Sequence, residues 1–168
     1  MIDVNTAARS GPGRFKLQVA WAMGGWLIAT AVAAQPAGPG AAAQAQRLQA
    51  ITLNAGMHNI RAELALTPEQ RQKGLMYRRD LGSHEGMLFV FDEPSPQCFW
   101  MRNTPSPLTI AFVADDGVIV NLADMKPFDD SSHCSAKPVR YVLEMNQGWF
   151  AKRGIKAGFK LGGAPFKP

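Results

Sequence analysis

The chain has 168 residues, enough for one ordinary domain and little more. Apolar residues make up 46% of it and charged ones 18%, a globular composition that excludes a wholly disordered or collagen-like chain. The formal charge of +5 is partly a property of the N-terminus: setting aside Arg9, Arg14 and Lys16 against Asp3 leaves 15 Lys and Arg facing 12 Asp and Glu. Those cations are scattered, apart from the pair Arg78-Arg79, so no basic stripe marks a nucleic-acid surface.

In chain order, the first signal is a leader. Arg14 and Lys16 precede an uncharged run from Leu17 to Ala34, which closes on the small residues Val32-Ala33-Ala34 before Gln35. This is the pattern of a cleavable signal peptide over residues 1–34. An uncleaved leader is long enough to serve as an inner-membrane anchor, the alternative reading. The expected location is therefore periplasmic or secreted, with membrane association only if the leader is retained. Residues 35–46 are nearly all Ala, Gly, Pro and Gln, without apolar periodicity, and read as a flexible tether. The remaining residues, 47–168, form one β-rich domain.

Within that domain, Arg47–Leu53 and His58–Ala65 read as strands around an Asn54-Ala55-Gly56 turn, with Leu48, Ala50 and Thr52 on one face and Ile60, Ala62 and Leu64 on one face of the partner. Thr67-Pro68-Glu69-Gln70 is a helix start, with Thr67 as cap, Pro68 at the first helical position and Gln70 completing a capping box. The short helix ends near Gly74. A polar loop from Arg78 to Glu85 leads into Gly86–Phe91, a continuous apolar run that predicts a strand covered on both faces. Asp92–Gln97, with two prolines, predicts a loop, and Cys98–Met101 another strand. Leu108–Ala114 and Val118–Leu122 flank Asp115-Asp116-Gly117, the clearest hairpin in the chain. Asp124–Pro138 reads as a polar loop and Val139–Met145 as a strand. Asn146 is placed to cap a helical turn ended by Gly154, and Phe159–Leu161 to close the sheet. The sum is a mainly β, antiparallel sandwich or barrel-like domain with one or two short helices.

From Glu63 to Leu161 the chain resembles domain-of-unknown-function family 192. Arg71, Gly74-Leu75-Met76, Arg78, Leu81, Gly86-Met87-Leu88-Phe89, Phe91, Phe99-Trp100-Met101, Asn103-Thr104, Pro107-Leu108, Tyr141-Val142-Leu143-Glu144, Gly148, Ile155 and Gly158 carry the resemblance. It implies a mainly β single domain, often exported, and no reaction. Many members have an acidic residue after Pro-Leu where this chain has Thr109, so a role built on a carboxylate there does not carry over. Strand alternation puts Thr109 on the face opposite Leu108 and Ile110.

Cys98 and Cys134 are the only cysteines, and export places them in an oxidising compartment, which predicts a structural disulfide. Closing a loop of about 37 residues stabilises by roughly 4 kcal/mol on chain-entropy grounds. A redox thiol or a zinc site with His58, His84 or His133 fits the spacing less well. Met57, Met76, Met87, Met101, Met125 and Met145 raise Cu(I) binding, but most lie in apolar motifs and read as core. Ser83-His84-Glu85 has the residue types of a hydrolase triad, but adjacent in sequence, which cannot give the required geometry. No catalytic residue, metal ligand or cofactor is assigned. Arg78, Arg79, Glu85, Trp100, Arg102 and Asn103 are the candidate ligand-binding surface, since a Trp beside Arg and Asn stacks and hydrogen-bonds a ring or peptide. Alternatively, Arg78 pairs with Glu85 or Asp80, Asn103 occupies a turn and Trp100 packs in the core. The expected function is a non-catalytic binding or accessory module of the cell envelope for a glycan, peptide or anionic small ligand, its partner an unknown envelope ligand or protein. The alternative is a small cofactor-free or thiol-dependent enzyme, or a Cu(I)-binding protein.

Overall fold

A computed structural model describes residues 44–166. The predicted leader, residues 1–34, and all but the last three residues of the predicted tether lie outside them. Eight strands form: β1 (Ala50–Ala55), β2 (His58–Ala65), β3 (Glu85–Ser95), β4 (Cys98–Phe99), β5 (Leu108–Val113), β6 (Ile119–Met125), β7 (His133–Cys134) and β8 (Val139–Asn146). One α-helix, α1 (Pro68–Lys73), and one 3-10 turn, Ala151–Arg153, complete the elements. The domain is mainly β, as expected, and among the described residues no helix is long and apolar enough to cross a membrane.

Six strands make one sheet in the order β1-β2-β3-β8-β5-β6, and β4 pairs with β7 apart from it. Every pairing is antiparallel except β2 with β3, which run parallel because α1 carries the chain back over the sheet between them. The two edges do not stay open. Asn54 of β1 exchanges backbone hydrogen bonds with Gly162, while Ile119 of β6 bonds to Gly158 and Phe159. Residues 158–162 thus join both edge strands and close the sheet at one end, as Phe159–Leu161 were expected to do.

Closure gives the sheet an inner and an outer face, each with its own apolar cluster. Leu53, Ile60, Leu88, Leu143, Phe150 and Leu161 pack inside. Phe89, Met87, Ile110, Phe112, Val142 and Met101 pack outside, beneath α1 and the β4–β7 ribbon. Every residue of β5 is buried, and Gly86–Phe89 of β3 are too, which is why the Gly86–Phe91 run shows no alternation. Gly86 is required by close approach: a Cβ there would lie 2.4 Å from the Glu144 carbonyl oxygen.

The α1 start is as read: Thr67 Oγ1 accepts from the Gln70 N–H, and the Gln70 side chain accepts from the Thr67 N–H. The β5–β6 hairpin also forms at Asp115-Asp116-Gly117. Four local expectations are corrected. The first hairpin turns at Gly56-Met57, because Gly56 takes φ +61° and lets Ala55 pair directly with His58. The buried residues of β1 are Leu53 and Ala55, on the face opposite Ala50 and Thr52. β3 continues past Phe91 to Ser95, its register shifting between Val90 and Ser95 to take in Pro94, whereas the strand expected at Cys98–Met101 stops at Phe99. Asn146 does not cap a helix, since its side-chain N–H groups donate to the Leu81 and Gly82 carbonyls. Gly154 does end that turn, at φ +67°.

Candidate functional site

The outer face carries a cleft of about 210 Å³ between α1 and the β4–β7 ribbon. Phe89 and Phe91 of β3 and Glu144 of β8 form its floor, Phe99 and Trp100 one wall, and Arg71 and Lys73 of α1 the opposite rim. Local sequence explains the shape. Gly74 ends α1 at φ +48°, and a Cβ there would come within 3.2 Å of the Phe89 ring, so only glycine lets the helix lie this close to the floor. The rings interlock edge to face, Phe99 standing 4.8 Å from Phe89 and 6.4 Å from Phe91. The Cys98–Cys134 disulfide joins directly opposed residues of β4 and β7 and holds this wall. Both cysteines are spent in it, so neither is left as a thiol nucleophile or metal ligand.

Trp100 is 48% exposed, with the Arg102 guanidinium 4.8 Å from its ring centre. Arg102 is itself held by two hydrogen bonds to Asp130. On the other rim Arg71 donates to the Val90 and Leu66 carbonyls and stacks 5.0 Å from the Phe91 ring, a fixed cation. Lys73 makes no ion pair among the described residues.

The six residues expected on a ligand surface are dispersed. Only Trp100 lines the cleft; Arg102 supports it from behind. Asn103 is a turn residue at φ +56°, its carbonyl accepting from the Tyr77 N–H. Arg79 is exposed elsewhere, and Glu85 accepts from Arg61 and from the Gly82 N–H. Arg78 is not on the surface: it is 1% exposed and bonds Glu63 Oε1 at 2.9 Å and the Gln46 carbonyl at 3.2 Å, with Asp80 Oδ1 3.4 Å from its Nε. The same Glu63 carboxylate accepts from the Leu48 N–H. Arg78 therefore ties the segment entering β1 to β2 and serves the fold.

The adjacent acids Asp115-Asp116 and Asp129-Asp130 also have structural roles. Asp115 pairs with Arg140, Asp116 accepts from the Val118 N–H, Asp129 accepts from Ser131 and Asp130 holds Arg102. Met87, Met101, Met125 and Met145 are buried in the two apolar clusters, and Met57 is exposed on the first hairpin turn. At the position after Pro-Leu, the buried Thr109 hydroxyl donates to Asp124 Oδ1 at 2.6 Å, so the facing strand brings a carboxylate to this place.

The residue that sequence reading passed over is Glu144. It is 4% exposed, forms no side-chain hydrogen bond among the described residues, and lines the cleft floor. Burial alone pushes its carboxyl up to about 8, so at neutral pH it is chiefly protonated. A signal was present: an acid inside the apolar run Tyr141–Met145, on a strand enclosed on both faces. The folded protein must hold a proton that the unfolded chain releases above pH 4.5. Stability therefore falls as pH rises from 4.5 towards 8, by about 1.4 kcal/mol per unit. Glu144→Gln keeps the shape without titrating and is expected to be more stable than the parent by on the order of 3 kcal/mol at about pH 7, and equal to it near pH 4. Urea unfolding at the two pH values measures this; an equal gain at both would assign the effect to packing.

Among known proteins, the family model for DUF192, described as "Uncharacterized ACR", matches residues 50–163. A solved structure from Novosphingobium aromaticivorans DSM 12444, of unknown function, is 39% identical, covers 83% of this chain and 100% of its own, and superposes with a TM-score of 0.66. Another, from Sinorhizobium meliloti 1021 and described as a candidate transcription regulator, is 40% identical over 67% of this chain and 91% of its own, with a TM-score of 0.64. No curated protein matches.

Proposed function

The chain belongs to the DUF192 family, which prescribes no reaction, and from that premise we propose that it is a non-catalytic envelope module that binds a small ring-bearing ligand in the outer-face cleft. The carrying observation is Trp100: a half-exposed indole on the rim of a cleft whose remaining aromatic residues are three phenylalanines. Large aromatic area left open beside a concavity is the usual signature of a ligand site rather than of a core. The cleft is smaller than the roughly 300–1,000 Å³ of drug-sized sites, which favours a single ring over an extended glycan or peptide.

The leader over residues 1–34 would deliver the domain to the periplasm or beyond, on the tether of residues 35–46, and the disulfide suits that compartment. Nucleic acid fits poorly. Arg47, Arg61, Arg78, Arg102 and Arg140 are each paired with a carboxylate, which neutralises five of the domain's cations.

Calorimetric titration of the purified protein with monosaccharides, dipeptides and monocyclic aromatic acids tests this reading. One class is expected to bind, and Trp100→Ala to weaken it about tenfold while leaving the unfolding midpoint unchanged, because the indole contributes contact area to the ligand and little to the core. Binding that ignores Trp100→Ala would move the site elsewhere, and no binding by any class would end the proposal.

A further inference from the structure

One row of the outer sheet face holds two buried carboxyl groups in unlike settings. Glu63, Met87, Glu144 and Ile110 follow one another across β2, β3, β8 and β5. Glu63 is met by the Arg78 guanidinium and the Leu48 N–H. Glu144, one strand beyond Met87, has neither a cation nor a hydrogen bond among the described residues, and it is the one that opens onto the cleft. Its neighbours across the strands, Met87 and Ile110, are apolar, as are Phe89 and Phe91 on the floor and Phe99 on the wall. The charged groups that share the cleft with it are Arg71 and Lys73, both on α1.

A buried polar group without a partner costs free energy, and a site that leaves one at the bottom of an open cleft has a use for it when a ligand arrives. Two ligand chemistries fit a carboxyl group. A cation would require it to be ionised, and would have to pass Arg71 and Lys73 on the way in. A hydrogen-bond acceptor requires it to be protonated, the state that desolvation favours, and an anionic tail would then be attracted by the same two cations. The charge distribution selects the second.

We propose that Glu144 acts as a protonated hydrogen-bond donor at the cleft floor, so that the ligand is a single-ring molecule with an acceptor oxygen at one end and an anionic group at the other. The acceptor meets Glu144, the ring lies between Phe99 and Trp100 on one side and α1 on the other, and the anion sits by Lys73. This assignment rests on the cleft being the ligand site and names what that site takes. It also makes affinity pH-gated: ionising Glu144 removes the donor and places a negative charge against the acceptor.

The test is calorimetry of the purified protein with para-hydroxyphenylacetate, phenylacetate, which lacks the acceptor, and tyramine, which reverses the charge. Each is titrated at about pH 6.5 and about pH 9 against the parent, Glu144→Gln and Glu144→Leu. Para-hydroxyphenylacetate is expected to bind the parent best and to weaken about tenfold between the two pH values, following loss of the protonated form. Glu144→Gln, which keeps a neutral donor, should bind with little pH dependence, and Glu144→Leu should bind it no better than phenylacetate. Affinity that does not change with pH in the parent, or full binding by Glu144→Leu, overturns the donor role while leaving the cleft as a binding site. Preference for tyramine, strengthening as pH rises, overturns it in favour of an ionised countercharge. Failure of all three probes to bind the parent overturns this ligand assignment, and the reading of the cleft then stands or falls on the monosaccharide and dipeptide titrations.

Discussion

Replacing Arg78 with methionine is expected to lower the unfolding free energy by about 3–5 kcal/mol, among the largest losses available to a single substitution in this domain. The arginine is 1% exposed, and its partner Glu63 is 4% exposed. Methionine fills the volume of the side chain but leaves Glu63 with the Leu48 N–H as its one remaining donor among the described residues. A carboxylate abandoned in a desolvated site costs far more than an exposed ion pair contributes, which is why Arg102–Asp130, with both side chains about half exposed, is expected to be worth a few tenths of a kcal/mol. The double variant Arg78→Met with Glu63→Leu separates the two terms. Removing both charges should recover most of the loss, since an apolar pair of similar volume is often as stable as the buried ion pair it replaces. Urea unfolding of the parent, both single variants and the double variant closes the cycle. A loss below about 1 kcal/mol for Arg78→Met would show that water reaches the pair. Because Arg78 does not line the cleft, ligand affinity should survive in any variant that still folds.

Arg78 also shows where sequence reading stops. Its neighbours Arg79 and Asp80 are polar and exposed, so the local pattern is that of a surface loop. The residue that defines its role is Glu63, on β2 and 15 positions earlier. Periodicity reports a residue's own element and says nothing about a long-range charge partner. What was legible is local chemistry: the Thr67-Pro68-Gln70 helix start, the Asp-Gly hairpin between β5 and β6, and the continuous apolar run of β3. The disulfide was legible too, from cysteine count and expected compartment. The parallel pairing of β2 and β3 was not, because α1 spans only Pro68–Lys73, shorter than the helix of an ordinary parallel crossover. The site was half legible. Trp100, which lines the candidate cleft, and Arg102, which stacks on it, were singled out because a Trp beside polar residues stands out. Glu144 was hidden by the strand that buries it, although an acid within a strand enclosed on both faces is itself an anomaly that needs a reason.

Opening the Cys98–Cys134 bridge is expected to cost about 4 kcal/mol of global stability and to disable the cleft before the main sheet. The two effects have different origins. The bridged residues are 36 apart in sequence, and the loop they close contains the β5–β6 hairpin, so freeing it raises the entropy of the unfolded chain. The folded main sheet hardly depends on the bridge, because β5 is held between β6 and β8. The β4–β7 ribbon depends on it heavily. That ribbon has two residue pairs, too few for a two-stranded ladder to persist unaided. Its other ties are the reciprocal Gln97 and Ser135 hydrogen bonds, the Asn121 side chain on the Cys134 carbonyl, and the packing of Phe99 on Phe89. Phe99 and Trp100 follow Cys98 directly and form the cleft wall. The double variant Cys98→Ser with Cys134→Ser should therefore unfold at lower urea concentration with a steeper denaturant dependence, as a less compact unfolded state requires. Its β4 and β7 amides should exchange with solvent well before those of β5 and β8, and ligand affinity should fall even under conditions where the sheet remains intact. Uniform exchange across all strands would instead make the ribbon part of one cooperative unit with the sheet. Two free thiols in the oxidised, denatured protein would remove the bridge altogether, and with it the physical reason for the cleft to keep its shape.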